Sequence, residues 1–159
     1  MIFITLGSQK FQFNRLLNKI DNLIEKGIIK EEVFAQIGYS DYKPKYYSYN
    51  EFLDRNQFAA IMKQCDIVIT HGGTGAIITA IKAEKKVIAI PRLKQYAEHV
   101  DDHQIQILKE FDDQELIAAC YNLDSLESVY INLDKMVFKS YISNTKIIVD
   151  SIREFIAKN

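Results

Sequence analysis

The sequence has few of the residues that small proteins use to reinforce a weak core. Its 159 residues include two cysteines, two prolines and no tryptophan. Cys65 and Cys120 form no CxxC pair and lack metal-ligand spacing, which favours a reducing compartment over a disulfide or zinc framework. A chain of this length buries roughly 70% of its unfolded surface, so a hydrophobic core alone can stabilise it.

An excess of charge of one sign is also missing. Twenty Lys and Arg stand against 21 Asp and Glu, a net charge of −1, whereas general nucleic-acid binders are normally basic. No stretch reaches about 18 consecutive apolar residues, and the first residues, MIFITLGSQ, lack the basic region and length of a signal peptide. We therefore expect a cytoplasmic protein without a nucleic-acid partner, which reaches a membrane only through another protein.

Short apolar runs rich in β-branched residues alternate with longer amphipathic stretches. The pattern predicts strands over 2–6, 33–37, 66–70 and 87–90, with a short one near 46–49. It predicts helices over 16–24, 54–62, 76–83, 99–111, 115–121, 126–138 and 145–157. This alternation is typical of an α/β fold, a Rossmann-like parallel sheet with helices on both faces. Without repeats or linkers, we expect one domain over 1–159, with its motifs in 1–111 and a helical tail over 112–159.

Two glycine turns follow predicted strands. Gly7-Ser8 follows the first strand, and His71-Gly72-Gly73-Thr74-Gly75 follows the fourth. In a Rossmann-like order these strands are neighbours across the switch point, so both turns face one crevice. Glycine lets a ligand approach the backbone, and the next helix, which Thr74 can cap, presents free N–H groups. A phosphate or diphosphate fits this pattern; the alternative is a tight turn without a ligand, because the segment is neither GxGxxG nor a P-loop.

A polar segment follows the next strand. Asp101 and Gln104 are three residues apart and share one face if the helix has already begun. Their side chains suit sugar hydroxyls, because both accept hydrogen bonds and Gln also donates. A solvated helix start is one alternative. A metal site of His99, Asp102 and His103 is another, although the residue after His99 is not the Glu of a zinc-protease motif.

Basic and aromatic residues surround these motifs. Arg92 and Lys94 come after the strand over 87–90, at the crevice end of the sheet, where we expect them to meet diphosphate charge. Lys85 and Lys86 precede that strand, so they belong at the opposite end and are expected to be solvated. The tyrosines of 39–49 either stack on a nucleobase or cover a loop.

Several of these segments occur together in the order of a known family. They are Ile4–Ser8 with Phe11 and Phe13, Gln36–Gly38, Asp66–Gly75, Ile90–Arg92 and Glu98–Gln104. The combination resembles the carboxyl-terminal, donor-binding domain of family 28 glycosyltransferases. Within that family it is most similar to the free-standing half-enzymes of the Alg13-like or PssE-like type. The resemblance covers about residues 1–111.

The resemblance implies one half of a GT-B fold that binds a UDP-sugar without a metal or other cofactor. Its pattern implies that the glycine turns hold the diphosphate and the later polar segment faces the donor sugar. The implied substrate-binding residues are Gly7, Ser8, His71, Gly72, Gly73, Thr74, Gly75, Thr79, Arg92, Asp101, His103 and Gln104. The family often carries a Glu where this chain has Thr79, and that Glu holds the ribose.

A complete GT-B enzyme has two such domains, whereas this chain has room for one. The resemblance implies a membrane-associated, Alg14-like or PssD-like acceptor-binding partner that brings a lipid-linked saccharide, so no catalytic base is assigned here. The expected function is the donor-binding subunit of an inverting hexosyltransferase in exopolysaccharide or capsule synthesis, held at the inner face of the membrane by its partner. The alternative is a non-catalytic enhancer subunit, which Thr79 in place of the usual Glu motivates.

Overall fold

The computed structural model describes residues 1–143, 149, 150, 152–154 and 156. The strands are β1 (Ile2–Thr5), β2 (Val33–Gln36), β3 (Ser48–Asn50), β4 (Ile67–His71), β5 (Lys86–Ile90) and β6 (Ala118–Ala119). The helices are α1 (Asn14–Glu25), α2 (Arg55–Gln64), α3 (Thr74–Lys82), α4 (His103–Asp113) and α5 (Leu126–Asn132).

The six strands form one parallel sheet in the order β3-β2-β1-β4-β5-β6. This is the predicted Rossmann-like fold, and the order reverses between β1 and β4. In the register of β1 with β4, Ile2 pairs with Ile67 and Thr5 pairs with Thr70. The two strands that precede the glycine turns are therefore direct neighbours, and the turns lie at the same edge.

Helices cover both faces of the sheet, as predicted. On one face, Leu16, Leu17 and Ile20 of α1 pack with Leu126 of α5 and Ile4 of β1. The other face carries α2, α3 and α4, whose buried residues are Met62, Ile77, Ala80 and Leu108. Because both faces are covered, the central strands β1, β4 and β5 are mostly apolar, which is why the sequence shows continuous apolar runs there rather than alternation.

The prediction of a helical tail from residue 112 is wrong in part. The segment 115–121 was expected to be a helix, but it contains β6, in which Ala118 pairs with Ile88 of β5. A strand of two alanines carries no periodic signal, and only its pairing with β5 makes it a strand. Helix α5 ends at Asn132 instead of continuing to 138, and a 3-10 turn over Leu133–Lys135 follows. The predicted helix over 145–157 lies partly outside the described residues.

The described residues include no helix that is both long and apolar enough to cross a membrane.

Candidate functional site

The reversal of strand order creates a crevice at the carboxyl ends of β1 and β4. The Thr70 hydroxyl donates to the Thr5 carbonyl oxygen at 2.7 Å and ties the two strand ends together. Gly7 follows with a φ of +71°, a left-handed conformation that favours glycine. A Cβ atom at Gly7 would lie 2.8 Å from Cε1 of His71, so glycine is also required by contact.

His71 lies between the two glycine turns. A Cβ atom at Gly73 would lie 2.3 Å from its Nε2 atom, so the ring occupies the space that both glycines leave. Burial, helped by the positive charge of Arg92, lowers the pKa of His71 to about 3. His71 is thus uncharged at neutral pH and acts as a packed spacer rather than as a cation for a phosphate.

The amino terminus of α3 lies beside this ring and has no side-chain cap. Its N-cap residue is Gly73, so the expectation that Thr74 caps the helix is wrong. The N–H groups of Thr74, Gly75 and Ala76 have no acceptor in the part of the chain that the structure describes. Thr74 and Gly75 are exposed, and a Cβ atom built on Gly75 would meet no atom within 4 Å apart from its chain neighbours and its own helix backbone, so this end of the helix is open to solvent. Free amides and the positive end of the helix dipole suit an anion.

Gln104 is positioned differently from the prediction. It is buried, and its Oε1 accepts hydrogen bonds from the backbone N–H groups of Gly72 at 3.1 Å and Arg92 at 2.9 Å. Its carbonyl end therefore connects the β4–α3 turn to the end of β5 and is not available to sugar hydroxyls. The N–H of Gly72 is already bonded to Gln104, so the N–H groups that remain for an anion at this turn are those of residues 74–76.

Arg92 was expected to meet a ligand's charge at the surface, but its side chain is fully buried. Its Nη2 atom donates to the carbonyl oxygens of Leu6 at 2.9 Å and Phe11 at 3.1 Å. Arg92, which follows β5, therefore holds the loop between β1 and α1 in place through two hydrogen bonds.

A second arginine, in helix α1, bonds to the loop that follows β5. Arg15 of α1 makes a two-pronged ion pair with Glu98, at 2.6 and 2.9 Å, and also donates to the Pro91 carbonyl. Glu98 is almost fully buried and accepts a further hydrogen bond from the Leu93 amide. No pattern in the sequence linked Arg15 to Glu98, because the two residues are 83 positions apart.

The remaining predicted sugar-side residues are exposed. Helix α4 begins at His103, so Asp101 precedes the helix and does not share a face with Gln104. Asp101 instead accepts a hydrogen bond from the His103 amide at 3.0 Å, which lowers the pKa of its carboxyl group. Ser8 is also exposed at the end of the first turn, and Lys94 extends from the β5–α4 loop.

The other polar candidates lie away from the crevice or are already bonded. The described residues contain no group of three side chains able to hold a metal ion. Lys85 and Lys86 lie at the opposite end of the sheet, as expected, where they contact the Lys63 carbonyl and Asp134. The Thr79 hydroxyl donates to the Gly75 carbonyl at 2.7 Å.

The tyrosines divide into two groups. Tyr42, Tyr46 and Tyr47 donate hydrogen bonds to α1, so their hydroxyls are used to hold the tyrosine-rich loop against that helix and not to meet a nucleobase. Tyr39 instead forms an edge-to-face pair with Phe52, with ring centroids 5.1 Å apart. Both rings are nearly half exposed and follow the carboxyl ends of β2 and β3. No local pattern in the sequence indicates this pair, because the two rings meet only when β2 and β3 pair.

A parallel sheet of this order, with an open helix terminus at its switch point, defines the class as a Rossmann-like domain. A family model described as the Glycosyltransferase family 28 C-terminal domain matches residues 1–152, and the chain belongs to this family. Among curated relatives, the chain is 31% identical over 110 residues to a transferase of Prochlorococcus marinus (strain MIT 9215). That protein is the UDP-N-acetylglucosamine--N-acetylmuramyl-(pentapeptide) pyrophosphoryl-undecaprenol N-acetylglucosamine transferase; the match covers 65% of this chain and 28% of that protein.

Solved structures show the same fold at low sequence identity. MurG of Acinetobacter baumannii aligns with a TM-score of 0.57 and 17% identity, over 84% of this chain and 40% of that one. The glycotransferase of kitacinnamycin has a TM-score of 0.60 and 15% identity, over 83% and 34% of the two chains. The solution structure of ALG13 has a TM-score of 0.59 and 16% identity, over 95% of this chain and 93% of that one. The chain thus spans a minor part of the first two proteins but nearly all of ALG13.

Proposed function

We propose that this chain is the donor-binding subunit of an inverting UDP-sugar glycosyltransferase. The observation that carries the proposal is the row of unoccupied amides at 74–76, at the switch point and beside the Gly7 turn. A diphosphate placed there gains hydrogen bonds and the favourable end of the α3 dipole. The same amides stabilise the charge that develops on the diphosphate when the sugar leaves, so the step needs no metal ion.

The rest of the donor has candidate partners at the same edge of the sheet. Tyr39 and Phe52 present aromatic surface on which a uracil ring can stack. Asp101 and His103 remain the candidates for the donor sugar, because both are exposed, Asp101 on the loop between β5 and α4 and His103 at the start of α4. The Gln104 amide nitrogen makes no hydrogen bond to the described residues and is the one part of that side chain left for a sugar hydroxyl.

The acceptor side is proposed to come from a second protein. The chain overlaps nearly all of ALG13 but about two fifths or less of the MurG and kitacinnamycin structures. The likeness to ALG13 supports pairing with a membrane-associated, Alg14-like or PssD-like subunit. That partner would supply the lipid-linked saccharide and the general base, and would hold this chain at the cytoplasmic face of the membrane during exopolysaccharide or capsule synthesis.

A matched pair of substitutions at Gly75 tests the diphosphate site. Both Gly75→Glu and Gly75→Gln fit sterically, and a carboxylate in the first turn of a helix stabilises it by about 0.3–1 kcal/mol. We therefore expect both variants to fold at least as well as the wild type. UDP should raise the melting temperature of the wild type and, less strongly, of Gly75→Gln, but not of Gly75→Glu, in which the carboxylate repels the diphosphate.

Two results would contradict the proposal. One is a wild-type melting temperature that millimolar UDP leaves unchanged, with and without the partner. The other is an equal UDP response in Gly75→Glu and Gly75→Gln, which would place the diphosphate elsewhere.

A second candidate function is a non-catalytic enhancer of the partner enzyme. The Thr79 hydroxyl is bonded to its own helix and offers no carboxylate to the ribose, which favours this alternative. Reconstitution with the partner and a panel of UDP-hexoses separates the two functions. A donor-binding subunit requires that Gly75→Glu abolish transfer, whereas an enhancer predicts that this variant supports full transfer.

A further inference from the structure

Arg92 connects the two glycine turns of the crevice. Its side chain holds the carbonyl oxygens of Leu6 and Phe11, on either side of the Gly7 turn. Its backbone N–H donates to Gln104 Oε1, which also accepts from the N–H of Gly72 in the second turn. The spacing of the two turns therefore depends on one residue that follows β5.

Among the described residues, no carboxylate pairs directly with the charge of Arg92. Its Nε and Nη1 atoms are buried and have no hydrogen-bond partner among the described residues. Glu98 is the carboxylate whose charge favours protonation of Arg92, but both of its oxygens are occupied by Arg15 and one also by the Leu93 amide. Burial lowers the pKa of Arg92 to about 10, so the side chain still carries its positive charge at neutral pH.

Such an arrangement is unfavourable in the unliganded protein. The two hydrogen bonds of Nη2, the Phe13 ring 5.6 Å from Cζ and the field of Glu98 replace only part of the hydration that this buried charge loses, and neutral His71 adds nothing. The same charge is useful if a dianion binds a short distance above it, because attraction is stronger where water is excluded. The amides of 74–76 and the Gly7 turn surround the space where that dianion would lie.

We propose that Arg92 is a positioning residue whose unneutralised charge is balanced by the diphosphate of the bound nucleotide. It acts through the two turns that it holds and through its field, and it need not touch the ligand. This inference rests on the proposed function. It adds that affinity increases from uridine to UMP to UDP, because each phosphate is attracted by the buried arginine.

Titrations with uridine, UMP and UDP test the inference, with binding followed by NMR of the full chain. Arg92→Gln should weaken UDP binding by about tenfold or more and UMP binding by less, while uridine binding changes by no more than about twofold. Arg92→Lys keeps the charge but loses the paired hydrogen bonds, so it should retain most of the preference for UDP over uridine. Lys85→Gln removes the same charge at the opposite edge of the sheet and should leave all three affinities unchanged.

Equal losses for uridine and UDP in Arg92→Gln would overturn the inference, since they would show that Arg92 only supports the fold. An unchanged preference for UDP in that variant would overturn it as well. If Arg92→Gln does not fold, Arg92→Lys decides the question, because loss of the UDP preference in a folded, charged variant contradicts the proposal. Failure of the wild type to bind UDP would instead contradict the proposed function.

Discussion

The two edges of the sheet treat polar groups in opposite ways. At the carboxyl edge, polar side chains are buried and bonded across long sequence distances, as in His71, Arg92, Glu98 and Gln104. At the amino edge, the ion pairs Met1–Asp66 and Lys86–Asp134 each use a carboxylate that is largely open to water. Burying polar groups lowers stability unless they are fully paired, so a protein that concentrates them at one edge has a use for that edge. Here that edge is where the glycine turns meet.

The largest expected difference between the edges concerns their ion pairs. Glu98→Ala removes a buried carboxylate, leaves the Leu93 amide without its acceptor and frees Arg15 from a two-pronged bond. We expect the free energy of unfolding to fall by about 3 kcal/mol or more. Asp134→Asn, the matched change in the exposed pair with Lys86, should leave it within experimental error. Urea denaturation measures both, and similar losses would show that the two edges do not differ.

A smaller difference is expected between two glycines with the same backbone conformation. Gly7 and Gly27 have φ angles of +71° and +69°, so alanine at either site is strained by about 1–2 kcal/mol. A Cβ atom at Gly27 meets no atom within 4 Å, whereas one at Gly7 collides with the buried His71 ring. Gly7→Ala should therefore be less stable than Gly27→Ala by about 1–3 kcal/mol. Thermal or urea unfolding that gives equal losses would mean that the ring moves aside freely.

The smallest effect, measured between pH 6.5 and 5, is that of pH. The pKa of His71 is about 3 in the folded chain, below the ordinary value near 6.5, so the unfolded chain binds a proton first as the pH falls. The stability due to neutral His71 is thus complete above about pH 6.5 and decreases towards pH 3, by up to about 1.4 kcal/mol per pH unit. His71→Gln lacks this contribution, so the stability difference between wild type and variant should shrink between pH 6.5 and 5. A ring proton of His71 that titrates near pH 6 by NMR would refute this.

The contrast between the edges also explains what the sequence can and cannot predict. Apolar runs identified β1, β2, β4 and β5, because strands buried on both faces have to be apolar. The two-residue β6 has no such run, and only its neighbour β5 makes it a strand. The start of α4 was placed four residues too early, because His99 and Asp101 form a local polar turn instead of the first helical turn.

In the candidate site, too, local features could be predicted from the sequence and long-range contacts could not. The glycine turn over 71–75 is local in sequence, so its place at the switch point follows from strand order alone. The bonds of Gln104 to Gly72, and of Arg92 to Leu6, join residues 32 and 86 positions apart, so no local pattern reveals them. The types of residue in the site were therefore predictable, whereas the partners that determine their roles were not.

The hydrogen bond from Thr70 to Thr5 bears on how the crevice forms during folding. It closes a loop of chain between residues 65 positions apart, and such distant contacts form late because closing a long loop costs entropy. A peptide that contains the HGGTG turn alone has no neighbouring strand and no His71 held between two glycines. We therefore expect the proposed diphosphate site to form only when both halves of the sheet have joined.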